Sequence, residues 1–363
     1  MMVLQSGLAV FLLTLGLGQL ISVARGRAGA SLAGRRRGWG AMAGLMLLAA
    51  GAWLLPASWA ALLWALPAAP LALGVLLLAG SWVWPLPNPV LLFQPEHPAH
   101  GGCRRVSIPD GAYAGPGLLL APPPNAPQTG LGVCVVPGAG DTKTSFKWRL
   151  VRALLAEGFT VLTIDPPGHG DYRQRPLAYP DCRSALPAAL AFLRRQPGIE
   201  RAGVIGISLG GALALNGLAE TGGANALVVV STPVRLDYSR RMFYREAWQT
   251  LRSPLAGLFG ETTARQLRQT WNSGGYTGRH NVSELFNLLE PEASAARLGS
   301  LPVLLVYSSH DSVAPPAHGE ALLAALPNAR LLTVKKASHV MLTLMPALNR
   351  QVAGWLRDAL AGR

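Results

Sequence analysis

The stretch Val204-Ile205-Gly206-Ile207-Ser208-Leu209-Gly210-Gly211 constrains this chain more than any other, because an apolar strand there runs into a serine flanked by glycines and then into a helical pattern. A strand that turns into a helix within one residue holds that residue in strained backbone angles. It also brings the neighbouring backbone within contact, so side chains at the flanking positions collide. Gly206 and Gly210 carry none. The turn lifts the Ser208 hydroxyl clear of the sheet edge, at the positive end of the helix that begins with Leu209 and Gly210, where an oxyanion is stabilised. The stretch reads as a nucleophile elbow. In a chain with 41 glycines the pentapeptide needs support from the remaining sequence.

That support comes first from rhythm. Apolar runs alternate with helix-length segments: strand 131–136, helix 143–157, strand 159–164, helix 181–195, strand 202–207, helix 209–220 and strand 225–231. Such βαβ alternation implies an α/β fold with a mostly parallel, doubly wound sheet and helices on both faces. Upstream, residues 103–109 and 115–121 flank Asp110-Gly111, a turn signal that predicts an antiparallel hairpin at the sheet edge. Residues 232–298 break the alternation with short pieces rich in aromatics and arginines, including Trp248, Trp271 and Phe286. They read as a helical cap over a site, or as helices that fill out the core. The sheet resumes at 302–307, and a last strand at 329–334 precedes a closing helix at 345–360.

Four loops on this scaffold carry chemistry. Val135-Val136-Pro137-Gly138-Ala139-Gly140-Asp141 follows a strand, and its small residues free backbone N–H groups to form half an oxyanion hole, with the amide of Leu209 as the other half. Asp165-Pro166-Pro167-Gly168-His169-Gly170 reads as a structural turn whose Asp and His hold neighbouring loops; His169 precedes the serine, which argues against it as the base. Asp311 follows the strand 302–307, and His339 follows the last strand. An Asp or a His on a loop is ordinary by itself. Here Ser208, Asp311 and His339 run nucleophile, acid, base along the chain, each at the carboxyl end of its own strand, where open α/β sheets place their sites. Asp237, after the strand ending near Ser231, is an alternative acid.

The amino-terminal quarter is of another kind. No charged residue occurs from Gly38 to Pro95. Together with Val3–Val23, this stretch has room for about three transmembrane helices of roughly 20 residues, near 3–23, 40–58 and 61–84. Trp39, Trp53, Trp59, Trp64, Trp82 and Trp84 lie in this part, several where a span meets the headgroups. A cleaved signal peptide fits poorly, since the arginines follow the first apolar run instead of preceding it. Arg25, Arg27, Arg35, Arg36 and Arg37 fall between the first two spans, which puts that loop, and after three crossings everything beyond Trp84, on the cytoplasmic side of a bacterial inner or plasma membrane. Pro56, Pro67 and Pro70 leave the count open, and one crossing fewer reverses the side. Residues 85–102 are a proline-rich linker, and 103–363 form the α/β domain.

Of the net charge of +14, five units are arginines of the first 90 residues, which hold no acid, and the remaining +9 favours an anionic membrane surface. The basic residues are scattered and no base-stacking motif accompanies them, so no nucleic-acid partner is expected. Cys103, Cys134 and Cys182 are widely spaced without a C-x-x-C, which suggests neither a disulfide framework nor a metal site.

Taken together, residues 103–360 resemble the α/β-hydrolase superfamily, in particular the branch of monoglyceride lipases, lysophospholipases and related capped serine esterases. The resemblance rests on Pro137-Gly138-Ala139-Gly140, the D-x-P-G-H-G turn at Asp165–Gly170, the G-x-S-x-G-G elbow, the D-x-x-x-P loop at Asp311–Pro315, and the terminal His339. Many members have His-Gly where this chain has Pro137-Gly138, which leaves open whether Ala139 or Gly140 supplies the second oxyanion donor. The resemblance implies a serine esterase in which His339 takes the Ser208 proton, Asp311 orients the imidazolium, and an acyl-enzyme is resolved by water with no metal or organic cofactor. Tethering makes acyl esters of lipids the expected substrates. A transferase or thioesterase on the same triad, and a silent membrane-tethered interaction protein, are the alternatives.

Overall fold

The computed structural model describes residues 2–24, 37–55, 102–143, 148–237, 276–335, 337–339 and 341–362, with a few isolated positions between them. Among these, two compact units stand apart in the pattern of contacts: one contains the two amino-terminal helices, the other everything from residue 102 onward.

The second unit is organised by an eight-stranded sheet. Its strands are β1 (Cys103–Asp110), β2 (Tyr113–Leu120), β3 (Leu131–Val136), β4 (Thr160–Ile164), β5 (Arg201–Ile207), β6 (Ala226–Val230), β7 (Val303–Ser308) and β8 (Ala329–Val334). Their spatial order is β1-β2-β4-β3-β5-β6-β7-β8. β1 and β2 form the expected hairpin at one edge, with Asp110 opposite Tyr113. β2 also runs antiparallel to β4, and every other pairing is parallel. The central strands are buried on both faces, so they read as continuous apolar runs, and their two-residue period divides each run between two cores. Val133, Ile205, Val228 and Leu304 point into one, Cys134, Val204, Leu227 and Leu305 into the other.

Helices α3 (Trp148–Ala156) and α9 (Pro346–Ala361) cover the first face; α4 (Ala185–Arg194), α5 (Leu209–Thr221) and α8 (Pro316–Ala325) cover the second. The expected helix 143–157 starts later, because Lys143 is committed elsewhere: its amide donates to Asp165 Oδ1 at 2.6 Å, and its ammonium lies 2.6 Å from both Asp165 Oδ2 and Asp171 Oδ2. The expected helix 181–195 is split into a 3₁₀ turn, Asp181–Ser184, and α4. Arg175 accounts for the break, donating from Nη2 to the Asp181 carbonyl and to Ser184 Oγ, both at 2.8 Å.

Chain order and spatial order place the site. From β3 the chain steps to β4 on one side, then returns for β5 on the other, and the crevice outside the carboxyl ends of β3 and β5 is the switch point where α/β sheets bind ligands. Of the expected cap, residues 238, 240, 243 and 247–275, Trp248 and Trp271 among them, lie outside the described residues. Its described end packs on the main body: α6 (Val282–Leu289) shares a small core with α5 through Leu285, Phe286 and Leu289, and Ala295 of α7 (Pro291–Ala296) joins the second core. This end of the segment thus contributes to the core of the main body.

The first unit consists of α1 (Met2–Ala24) and α2 (Arg37–Leu54). Their partners run in opposite senses: Gln5 Nε2 donates to the Leu54 carbonyl at 3.3 Å and the buried Gln19 Nε2 to the Gly40 carbonyl at 3.0 Å. The pair is an antiparallel hairpin, close enough that a methyl group at Gly16 would stand 2.8 Å from the Gly44 carbonyl. Among the described residues, only α1 is long and apolar enough to cross a bilayer, over Leu4–Ile21. The expectation of about three spans is corrected accordingly. The apolar part of α2, Gly38–Leu54, is shorter, and the helix stops there because Pro56 has no N–H to donate and disfavours helical angles in the residue before it. The span expected near 61–84 lies outside the described residues apart from four isolated positions.

A buried polar cluster fastens the edge hairpin to the body. Asp110, 4% exposed, accepts from the Tyr172 hydroxyl at 2.9 Å and the Ser184 hydroxyl at 2.6 Å and pairs with the Arg175 guanidinium, over which Tyr113 lies at 5.1 Å. Removing one partner of such a pair strands the other charge. Asp110→Ala is expected to destabilise the protein by about 3–5 kcal/mol, and Asp110→Leu with Arg175→Met to recover most of that loss, measured by denaturant unfolding of the full chain.

Candidate active site

β5 ends at Ile207 and α5 begins at Leu209, so Ser208 alone makes the turn, at φ +52° and ψ −118°. This conformation is rare for a residue with a side chain and is held by its surroundings. The Ser208 amide donates to the Val230 carbonyl at 2.8 Å, and its carbonyl accepts from the Gly211 amide and the Thr232 hydroxyl, both at 2.9 Å. A Cβ at Gly206 would stand 2.5 Å from Gly211 Cα, and one at Gly210 would stand 2.2 Å from the Val136 carbonyl. The elbow exists only because both positions are glycine.

Ser208, His339 and Asp311 meet in one hydrogen-bonded chain. His339 Nε2 lies 3.0 Å from Ser208 Oγ, and its Nδ1 lies 2.8 Å from Asp311 Oδ2. With the Nδ1 proton assigned to the bond with Asp311, Nε2 presents its lone pair to the serine hydroxyl. The other carboxylate oxygen, Asp311 Oδ1, accepts the amides of Val313 at 2.8 Å and Ala314 at 2.7 Å. The Asp311 and His339 loops are joined beneath by a buried serine: Ser308 Oγ donates to the Ala337 carbonyl at 2.6 Å and accepts the Ala337 amide at 3.1 Å and the His310 amide at 3.3 Å.

Burial pulls the His339 imidazole downward. The Asp311 carboxylate, by its charge and its hydrogen bond, more than reverses that, and Glu246 and Asp141 push in the same direction, so the pKa stands above the ordinary histidine value. Glu246 approaches from the segment after β6, accepting from the Ser312 hydroxyl at 2.9 Å.

The turn after β3 lies beside Ser208. The Asp141 amide donates to the Gly138 carbonyl at 3.1 Å, and Gly140, third of the four residues, has φ +78°, the value a type II turn requires there. A Cβ at Gly138 would stand 3.2 Å from Ser208 Cβ, and Ala139 packs against the cluster that contains Leu209. Leu209 is the first residue of α5, where amides have no partner within the helix.

The other candidates lie elsewhere. Asp237 is exposed, while the Nδ1 of His339 faces Asp311. His169 is buried, with Nδ1 2.9 Å from the Pro167 carbonyl and its ring stacked on Tyr276 at 5.2 Å. Asp165 binds Lys143 and the Asp171 amide, so this turn braces neighbouring loops. Ser308, Ser312 and Glu246 were not foreseen. Ser308 ends an apolar strand in the manner of any strand-terminal polar residue, and Glu246 falls in a segment with no periodic pattern, so neither leaves a signal in one sequence. Among the described residues, no three His, Cys, Asp or Glu side chains are grouped as a metal ion requires.

Several solved structures share this architecture. An esterase of Pyrococcus furiosus superposes with a TM-score of 0.51 at 19% identity, over 74% of this chain and 94% of its own. A serine hydrolase of Cycloclasticus zankles gives 0.50 at 17% identity, over 71% and 99%. A 2,6-dihydroxy-pseudo-oxynicotine hydrolase gives 0.55 at 18% identity, over 99% and 88%. At such identities the likeness is one of fold. The sequence itself matches a family model over residues 133–349, from β3 into α9, a span that takes in the elbow, the turn beside it and the acid and histidine loops, and the chain therefore belongs to the alpha/beta hydrolase family.

Proposed function

We propose that this protein is a membrane-anchored serine hydrolase that cleaves carboxylic esters, those of lipids or other acyl chains foremost, through Ser208, His339 and Asp311. The observation that carries the reading is the chain Asp311–His339–Ser208, with 2.8 and 3.0 Å between its members, at an elbow that presents the hydroxyl beside a glycine-rich turn. In the first step His339 Nε2 accepts the Ser208 proton as Oγ attacks the ester carbonyl. Asp311 holds the imidazole in the productive tautomer and stabilises its cation. The oxyanion of the tetrahedral intermediate rests on the Leu209 amide and on that of Ala139 or Gly140. His339 then protonates the leaving alcohol, and a water activated by the same imidazole resolves the acyl-enzyme. The esterase and serine hydrolase named above support this reading by fold.

The anchor is read from α1, of spanning length, and from its hairpin with α2, whose connection carries Arg25, Arg27, Arg35 and Arg36. The positive-inside bias assigns that connection to the cytoplasm. A tethered enzyme meets substrates that partition into the bilayer at high local concentration, which is why lipid esters lead.

Fluorophosphonate labelling of the full chain in membranes is expected to mark the wild type and spare Ser208→Ala. His339→Ala is expected to lose at least about 10³-fold in ester turnover. A wild type that neither labels nor hydrolyses any ester of a graded chain-length panel overturns the proposal.

The pH profile follows from His339. Only the neutral imidazole accepts the serine proton, and the pKa is raised, so kcat/KM climbs with pH through a midpoint above about 6.5, the ordinary histidine value. Asp311→Asn removes the principal cause of the upward shift and is expected to move that limb to lower pH while lowering its plateau. Alkaline carbonate is expected to leave the full chain in the membrane pellet and to release a variant lacking residues 1–101.

A further inference from the structure

We infer that Lys143 is a positioning residue for the turn after β3: clamped to both oxygens of Asp165, it fixes the far end of the segment that offers the second oxyanion donor, Ala139 or Gly140. The inference rests on the hydrolase reading of the site and deepens it.

The near end of that segment is held by the sheet. β3 ends at Val136, and β4 lies in parallel register beside it, with Val135 opposite Thr163. At the far end α3 begins only at Trp148, so the residues just after the turn are not fixed by a helix. One side chain fixes them instead. The Lys143 amide donates to Asp165 Oδ1 and the Lys143 ammonium to Asp165 Oδ2, both at 2.6 Å, so backbone and side chain of one residue engage both oxygens of one carboxylate. Six residues, 137–142, span the gap between the strand end and this clamp.

The clamp is itself anchored. Asp165 follows β4 directly, its amide donates to the Pro116 carbonyl of β2 at 3.1 Å, and its Oδ2 also accepts the Asp171 amide at 2.8 Å. The chain approaches so closely there that a Cβ at Gly170 would stand 2.3 Å from that oxygen. Asp171 Oδ2, on a largely exposed side chain, meets the same ammonium at 2.6 Å. Lys143 is 7% exposed and Asp165 2%. A lysine is seldom so covered unless it is paired. Such a pair adds little net stability, because desolvation offsets the attraction; its contribution here is a fixed direction for the turn. The bond from the Asp141 amide to the Gly138 carbonyl closes the turn on itself, whereas the point at which residue 143 is held decides where its amides face. That matters for rate. An oxyanion donor has to stand about 2.7–3.1 Å from the oxygen it serves, and a misplacement of about 1 Å costs of order 10²-fold.

The test uses the full chain in detergent micelles. Lys143→Met keeps the aliphatic stem and removes the ammonium; adding Asp165→Asn removes the carboxylate charge as well, so that the double variant strands no buried charge. The single variant is expected to lose stability and the double to regain most of it. Both are expected to lower kcat by about 10- to 100-fold at little change in KM, with the acid limb of kcat/KM left at its wild-type pH. Both are also expected to weaken, by a similar factor, the binding of an alkylboronic acid, whose tetrahedral adduct with a serine places an oxygen on the oxyanion donors. Hydrogen exchange at the Asp141 amide is expected to quicken in both. A double variant that regains stability and has wild-type kcat overturns the inference, and a rate loss that comes with a displaced acid limb does so too, since it places the effect on His339. If Lys143→Met does not fold, the double variant decides alone. Unchanged Asp141 exchange in the folded variants overturns the clamp, whatever the activity does. A wild type that turns over no ester, but whose Asp141 amide exchanges faster in the double variant, removes the hydrolase reading and leaves the clamp in place.

Discussion

The arrangement of this molecule depends on one close approach, that of Gly210 to the end of β3. With 2.2 Å between the position a Cβ would take and the Val136 carbonyl, no other residue fits at the start of α5. Everything the site needs follows from that contact. It lets β5 turn into a helix within one residue, which strains Ser208 into positive φ, and it brings the turn after β3 against the serine. The strain is borne by fixed partners on the neighbouring strands: the Val230 carbonyl takes the Ser208 amide, and Thr232 holds its carbonyl from β6's side. A backbone conformation that costs of order 1–3 kcal/mol is stable here because the sheet around it is rigid.

Much of this was legible in the sequence, and the parts that were legible share a cause. Strands buried on both faces are continuous apolar runs, so β3 to β8 fall within a residue or two of where the runs lie. Ser208, Asp311 and His339 stood out because each follows such a run, which puts each at the carboxyl end of its own strand. Helix starts were less legible. Lys143 reads as the beginning of a helix until it is known that its amide and ammonium are both engaged by Asp165, 22 residues away in sequence and on another strand's loop. α8 was invisible because Pro315-Pro316 reads as loop, although a proline suits the first position of a helix well. In the amino-terminal part, hydropathy marked apolar residues correctly yet could not see that α2 stops at Leu54.

The electrostatic character of the site was beyond reach for a different reason. Asp141 was in view as the last residue of a glycine-rich turn, and Glu246 as one acid among aromatics and arginines, but neither position says that its charge acts on His339. The protein as a whole is strongly basic, at +14, while the groups around its candidate base are acidic. A global surplus of one sign and a local surplus of the other serve separate ends: the first acts at long range on a charged surface, screened within about 8–10 Å at ordinary ionic strength; the second acts over a few ångströms inside the crevice.

Ser308 carries a further meaning. Its hydroxyl bridges the loop that bears Asp311 and the loop that bears His339, with bonds to both Ala337 backbone groups and to the His310 amide. Two loops joined at their roots by one buried oxygen are harder to displace separately than together. The loops of Asp311 and His339 are thus tied to each other from below, by a side chain that is neither the carboxylate nor the imidazole.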